Sequence, residues 1–465
     1  MKAILPLLLA ATLSGCAAIS PGPAGTAQLE AARLGLQDST IQWPAERWWH
    51  RYGDTQLGQL IDEALAGHPS MDAARARVDA ANATVRGARA VQLPQANASF
   101  SATRQRFSSN YIYPPPFGGS MQTEANLRVD LSFDLDLWGR NRAHYAAAVS
   151  SAAAAQADAQ LARNTLVYGV IQSYYNLQNA LAQQDVLGRI VSQQQDVLDI
   201  TRQRARAGLD TQIEVKQAAA AVSAARVQLS QAATNATLLR NQLAALTGAG
   251  PQRGASIQAV KLASPPSGTP ALLPLALLAR RPDIVAARER ATAADSQVSA
   301  AKADFYPNVN LAAFAGFMSL GLSNLIEGAS KTYGVGPVIT LPLFHGGALN
   351  AQLDSRRADR ELAITDYNQT LLGAVREVAD ATASIQALRQ QAVDQSASLQ
   401  AITSAYGLAV DRYKSGLGNF IQVLLAQNEV QKQALLDTDL RARAYILDAQ
   451  LATALGGGYV EPATH

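Results

Sequence analysis

The sequence predicts a mainly α-helical protein with a small β part, built on a duplicated chain. Three observations predict it. Short motifs in the first half return in the second half in the same order. No proline falls between Pro116 and Pro251 or between Pro342 and Pro462, which leaves room for very long helices. And residues 126–137 alternate apolar and polar side chains without a fault.

The composition narrows the chemistry. The chain has 465 residues, 39 Lys+Arg against 36 Asp+Glu, and a single cysteine. Its length allows two or three ordinary domains. A formal charge of +3 is too small to argue for nucleic acid as a partner. One cysteine excludes a disulfide framework and a Cys-rich metal site. At 48 % hydrophobic, 16 % charged and 6 % aromatic, the chain suits long, closely packed helices better than a cofactor pocket.

Residues 1–15 form an export signal: Lys2 precedes a short apolar run from Ile4 to Leu13. That run is too short to span a bilayer, which takes about 20 residues. Leu13-Ser14-Gly15-Cys16 resembles the bacterial lipobox, which makes Cys16 the lipidation candidate and the first residue of the mature chain. Ala17 and Ala18 follow, with no Asp at the second mature position, a pattern that resembles sorting to the outer membrane. Lipid would hold the chain on a membrane without making it span one.

Residues 16–45 are rich in Pro, Gly and Ala and are expected to be a lipidated linker. The first repeat covers 46–250 and the second 275–459. Between them 251–274 is a Pro-rich linker, and 460–465 is a tail. His68-Pro69 with Ala73-Ala74-Arg75 returns as Arg281-Pro282 with Ala286-Ala287-Arg288. Gly208-Leu209 with Ile213 returns as Gly416-Leu417 with Ile421. An offset of about 206 to 213 residues marks duplicated halves rather than solenoid units. In each half a helical pattern runs about 70 residues before its first break, at Gly208 or Gly416. At 1.5 Å per residue that is roughly 100 Å, which demands a coiled coil or a tube. Leu187, Ile190, Val191, Val197 and Leu198 give a narrow apolar stripe, suited to a helix in a wall wet on at least one side.

Strands are expected at 94–106, 122–137, 307–319 and 332–343. Leu127, Val129, Leu131, Phe133, Leu135 and Leu137 point one way, and Asn126, Arg128, Asp130, Ser132, Asp134 and Asp136 the other. About twelve residues span roughly 40 Å, longer than the usual strand. A membrane-spanning sheet must close, because an open edge leaves backbone groups unpaired in lipid. The smallest single-chain barrels have about 8 strands, so four strands need several chains; three would supply twelve.

Four motifs in this order resemble the TolC/OprM superfamily, and most nearly its NodT-like branch of outer-membrane efflux lipoproteins. They are Phe133-Asp134-Leu135-Asp136-Leu137-Trp138-Gly139-Arg140, Arg280-Arg281-Pro282-Asp283-Ile284, Leu341-Pro342-Leu343-Phe344-His345-Gly346-Gly347 and Leu455-Gly456-Gly457-Gly458. The resemblance covers about residues 45 to 459. It implies a homotrimer with a twelve-stranded β-barrel in the outer membrane, continued by an α-helical barrel across the periplasm. It further implies the exit duct of a tripartite pump. A periplasmic adaptor and an inner-membrane pump of the RND class would be its partners, and it would export drugs or toxic compounds. Type I protein secretion is the alternative use of such a channel. A coiled-coil spacer lipoprotein is a third reading, which the alternating strands oppose.

Function is expected at the two helix breaks. Gly208 and Gly416 suit left-handed helix stops. Thr211 with Glu214, and Asn419 with Gln422, match capping boxes. Glu214, with Asp210, is also a candidate for a ring of carboxylates about a threefold axis. In the TolC-like relatives the second hairpin carries aspartates at the constriction; the matching positions here are Gln422 and Leu425, so an apolar seal at Leu425 is the alternative. Arg412 and Tyr413 match the region where relatives hold inter-helix tethers. The turns Gly208, Leu209, Asp210, Thr211 and Gly416, Leu417, Gly418, Asn419 are the expected adaptor contacts. Arg281-Pro282-Asp283 is expected to start a helix. Trp48, Trp49 and Tyr52 are expected to pack a short helix, and Trp138 is either core or an interfacial aromatic. No metal site is expected from five scattered histidines, and no phosphate loop or nucleophile elbow is present. Neither an enzyme nor a cofactor is expected beyond the lipid on Cys16.

Overall fold

The computed structural model describes residues 25–29, 31–34, 43–110, 112–263 and 280–461. The export signal, Cys16, residues 264–279 and the end of the tail lie outside the described residues.

The duplication is visible element by element. Helices α1 (Thr55–Gly67) and α2 (Pro69–Val91) lead into strands β1 (Gln95–Arg106) and β2 (Met121–Asp134). Then come α3 (Arg140–Arg206) and α4 (Gln212–Leu246), and the short α5 (Pro251–Ala255). The second half runs α6 (Pro282–Ala303), β3 (Asn308–Leu320), β4 (Lys331–Thr340), α7 (Ala348–Lys414) and α8 (Phe420–Ala454). Both α3 and α7 have 67 residues, and both α4 and α8 have 35. At 1.5 Å per residue α3 and α7 are each roughly 100 Å long. None of the described helices is long and apolar enough to cross a membrane.

The chain packs as two compact units. Of the described residues, the first takes those within 25–28, 77–156 and 286–368, and the second those within 29–76, 157–285 and 369–461.

In the first unit the four strands form one antiparallel sheet in the order β1-β2-β3-β4. Register puts Ala98, Val129, Ala315 and Tyr333 in one row, and Ala96, Leu131, Ala313 and Val335 in the next. This apolar face is exposed: Val129, Leu131, Tyr333 and Val335 all lie open. The opposite face carries Ser99, Asn97, Arg128, Asp130, Ser132 and Asn310. An apolar face left bare on a sheet with two open edges fits lipid rather than water.

Strand ends differ from the sequence expectation. β2 stops at Asp134 although the alternation of letters continues to Leu137. Asp136 is the reason: it turns into the left-handed region at φ 45°. Its carboxylate then accepts from the N–H groups of Asn141 and Arg142, both at 2.9 Å, capping α3. β4 stops at Thr340 because Pro342 lacks an N–H and disfavours pairing at Leu341. Trp138 is half exposed, stacks on Tyr306 with centroids 4.8 Å apart, and donates its Nε1–H to the Pro307 carbonyl. Within the single chain it is not part of a buried core cluster.

The core of the second unit gathers Leu57, Leu60 and Ile61 of α1 and Val170, Ile171, Tyr174 and Tyr175 of α3, with Leu243 of α4 and Ala449 of α8. Trp48 and Trp49 are buried in it as expected. Tyr52 and Arg51 both reach the buried carboxylate of Asp448, the hydroxyl at 2.6 Å. Burial pushes that carboxyl up, against the pull of Tyr52 and Arg51. The apolar stripe behaves as read, with Leu187, Ile190, Val197 and Leu198 buried.

Two stretches read as linkers are packed where described. Thr26 and Ala27 bond α7 at Glu361 and Asn368. Beyond α5, Ile257 is fully buried and Val260 N–H donates to Gln178 at 2.8 Å.

The duplication extends to contacts. Gly248 and Gly456 each close a long hairpin against the backbone preceding the short helix of their own repeat. A Cβ on Gly456 would lie 1.8 Å from the Arg280 carbonyl oxygen, and its φ is +99°. Gly456→Ala is therefore expected to cost more than about 1 kcal/mol. Gly373→Ala, at an open site inside α7, should instead gain up to about 1 kcal/mol. Thermal unfolding of the two variants should move in opposite directions.

Candidate functional site: the turns of the two long hairpins

Both long hairpins turn in the same way. At the end of α3, Leu209 N–H donates to Arg204 O at 2.9 Å and Gly208 N–H to Ala205 O at 3.1 Å. At the end of α7, Leu417 N–H donates to Arg412 O at 2.8 Å and Gly416 N–H to Tyr413 O at 3.1 Å. These paired bonds are Schellman closures, with Gly208 at φ +73° and Gly416 at φ +78° supplying the left-handed residue. α4 then starts from a full capping box: Thr211 Oγ1 accepts from Ile213 N–H, and Glu214 accepts from Thr211 N–H at 2.8 Å. α8 starts from Asn419, whose side chain accepts from Gln422 N–H at 3.1 Å. Glu214 is partly exposed, and its bonds to Thr211 hold its carboxyl below the usual range.

A polar tie joins the two hairpins within one chain. Tyr413 is 1 % exposed; its hydroxyl donates to Asp210 and lies 3.2 Å from Thr201 Oγ1. Arg204 grips Asp210 with Nε at 2.9 Å and Nη2 at 3.3 Å. Its Nη1 donates to the Tyr413 carbonyl at 2.9 Å, and its guanidinium carbon lies 4.6 Å from the Tyr413 ring centroid. Burial opposes ionisation of Asp210, but the bonds from Arg204 and Tyr413 hold its carboxyl below the usual carboxylate range. Burial first, and Asp210 second, push the Tyr413 hydroxyl up to about 12. Around the tie Val197, Leu198, Val222, Phe420 and Val423 form an apolar cluster.

This geometry corrects two expectations. Asp210 does not stand free beside Glu214; it is bonded inside the chain by Arg204 and Tyr413. Within the chain the arginine that holds Tyr413 is Arg204; among the described residues Arg412 bonds through Nη2 to Leu417 O of its own turn. The physical reason lies in the repeat. The position that holds Asp210 in the first turn holds Gly418 in the second, so Arg412 has no acid to grip. Sequence reasoning missed Arg204 and Thr201; the difference between Asp210 and Gly418 was the available signal.

The remaining candidates stand on the surface. Leu209, Ile213, Leu417, Ile421 and Leu425 are all exposed, Leu417 at 73 %, and so is Gln422. No group of three or more His, Cys, Asp or Glu able to hold a metal occurs among the described residues.

An antiparallel sheet with a bare apolar face and open edges in the first unit, and in the second two long hairpins tied at their turns, fit a channel class rather than a binding module. The description of outer membrane efflux proteins matches residues 60–249 and 273–457, one match per repeat. The chain belongs to that family. It is 33 % identical over 463 residues to the multidrug resistance outer membrane protein MdtP of Escherichia coli K12, covering 96 % of this chain and 94 % of that one. It is 34 % identical over 366 residues to the fusaric acid resistance protein FusA of Burkholderia cepacia, covering 77 % and 69 %. Among solved structures it resembles the outer membrane protein VceC of Vibrio cholerae, with 36 % identity and a TM-score of 0.85 over 90 % of this chain and 100 % of that one. The protein is thus an outer-membrane efflux channel that extends into the periplasm.

Proposed function

We propose that three copies of this chain close one twelve-stranded barrel and act as the passive exit duct of a tripartite pump. The observation that carries this reading is the open four-stranded sheet with its apolar face bare. β1 and β4 each present an unpaired edge, and in lipid those edges must be paired by further copies. Lipid on Cys16 anchors each copy. The two turns, Gly208 to Thr211 and Gly416 to Asn419, dock a periplasmic adaptor through Leu209 and Leu417. An inner-membrane pump of the RND class supplies the energy, and the duct itself makes and breaks no bond.

The exported compounds are small drugs or toxic molecules, in keeping with the resistance named for MdtP and FusA. The Asp210–Arg204–Tyr413 tie holds the periplasmic end in its resting arrangement. Glu214, Gln422 and Leu425 line the opening there, a partly exposed acid followed by an apolar rim.

A photo-crosslinking residue at Leu417, activated in living cells, tests the reading. Capture of a periplasmic adaptor in the outer-membrane fraction is the expected result and identifies the pump class. Recovery of the chain as an uncrosslinked soluble monomer would overturn it.

A further inference from the structure

The polar face of the sheet holds one basic side chain. By register its charged positions are Glu124, Arg128, Asp130 and Asp134, three acids and one base. The base stands at mid-strand, six residues from the end of β2 at Asp134.

Its placement is held from two sides. Arg128 Nε donates to Asp130 Oδ2 at 2.9 Å, and Nη2 lies 2.7 Å from Asp130 Oδ1, a two-pronged grip. Its guanidinium carbon sits 5.2 Å from the centroid of Phe314. Phe314 pairs in register with Asp130 on one side and Gly334 on the other. A Cβ on Gly334 would lie 2.8 Å from Phe314 Cε1, so the ring lies down on the Gly334 backbone. The result is a layered stack of backbone, ring and guanidinium. It leaves Arg128 at 38 % exposure, and among the described residues its Nη1 takes no hydrogen bond. A charge needed only for packing would be covered; this one is positioned and left open.

We propose that Arg128 is the selectivity element of the sheet-lined lumen: with its two symmetry copies it forms a fixed positive ring at mid-height in an otherwise acidic wall. Phe314 and Asp130 are its positioning residues. The proposal rests on the threefold closure argued above. An arginine stays ionised throughout the working pH range, so the ring is permanent. Anionic solutes meet a favourable station at Arg128, offset in part by Asp130, on a wall whose other acids are Glu124 and the Arg140-paired Asp134, and cations meet a barrier there.

The local potential can be read directly. Ser99 lies opposite Arg128 on the polar face, and Phe100 next to it points the other way. Ser99→Cys in the full-length protein, in outer-membrane vesicles, is treated with an anionic and with a cationic methanethiosulfonate; the chain without the added cysteine is the blank for Cys16. Cross-strand neighbours lie about 5 Å apart, where one unit charge matters even in water. Arg128→Gln should lower the anionic-to-cationic rate ratio about tenfold, and Asp130→Asn should raise it. Phe314→Leu, which keeps every charge, should lower it part of the way. All three effects should shrink in 1 M salt, where screening acts within about 3 Å. An unchanged ratio in Arg128→Gln and Asp130→Asn, with Ser99→Cys reactive, would overturn the ring and leave the duct standing. A silent Ser99→Cys beside a reactive Phe100→Cys would overturn the orientation of the sheet, and the duct with it; silence at both would do the same.

Discussion

Asp210→Asn combined with Tyr413→Phe should raise the conductance of the channel several-fold in planar bilayers, while Arg412→Ser should leave it unchanged. The double variant removes the Tyr413 hydroxyl, the charge gripped by Arg204, and the hydrogen bond between them. Bonds to a charged, mostly buried partner contribute about 1.5–3 kcal/mol each. Discounting for their coupling, the loss is roughly 3 kcal/mol, or about a hundredfold shift between tied and untied turns. Arg412 contributes nothing to that sum, because within the chain it bonds its own turn. Equal conductance in the double variant and the parent would remove the tie from the gate. A conductance rise in Arg412→Ser alone would restore the tether first expected from the sequence.

The same tie has a defined pH window. The Asp210 carboxyl is held below its ordinary value, so its contribution is complete above about pH 4 and is lost as the pH falls through the lowered value. The Tyr413 hydroxyl is raised, so its contribution is complete below about pH 10 and is lost as the pH rises through about 12. Between those limits the tie carries no pH dependence of its own. Conductance should therefore be flat across neutral pH and climb at the acid end, and Asp210→Asn should abolish the acid limb.

What the sequence disclosed and what it withheld follow from the range of the interactions. The helices were legible because their signals are local: proline-free windows, a glycine stop and a cap three residues from its partner. α3 and α7 end within two residues of Gly208 and Gly416 for that reason. The strands were legible for their period of two, but their ends were not. Leu135 and Leu137 keep the period while Asp136 leaves it to cap α3. The tie was half legible. Tyr413 stood out by its likeness to tethers in relatives, but its partners lie more than 200 residues away. Arg204 and Arg412 occupy matching positions in the two repeats, and no local pattern distinguishes them. Only the acid six residues further on does, present as Asp210 and replaced by Gly418.

Arg281→Ala should lower stability by roughly 3 kcal/mol, the largest single loss expected away from the apolar core. The motif Arg281-Pro282-Asp283 reads as a helix start, and α6 does begin at Pro282. That explains the proline and the acid but not the arginine. Arg281 is buried, and three groups converge on it. Nε and Nη2 take Asp283 at 3.0 and 2.6 Å. Nη1 donates to Glu377 of α7 at 2.8 Å and to the carbonyl of Ala454, the last residue of α8, at 3.1 Å. One guanidinium thus joins the start of a short helix, the flank of a long one and the end of another. Asp283 pulls its charge state up against burial, so the ion pair persists at any working pH. Removing the arginine leaves an acid and a helix-terminal carbonyl without a partner in a site that water reaches poorly. Glu377 is about half exposed and rehydrates, which is why the expected loss sits at the low end for a buried pair. Arg281→Lys should recover little of it, since a point charge cannot meet acceptors spread around a planar fork. A midpoint of thermal unfolding for Arg281→Lys equal to that of the parent would show that charge alone, and not the fork, holds this junction.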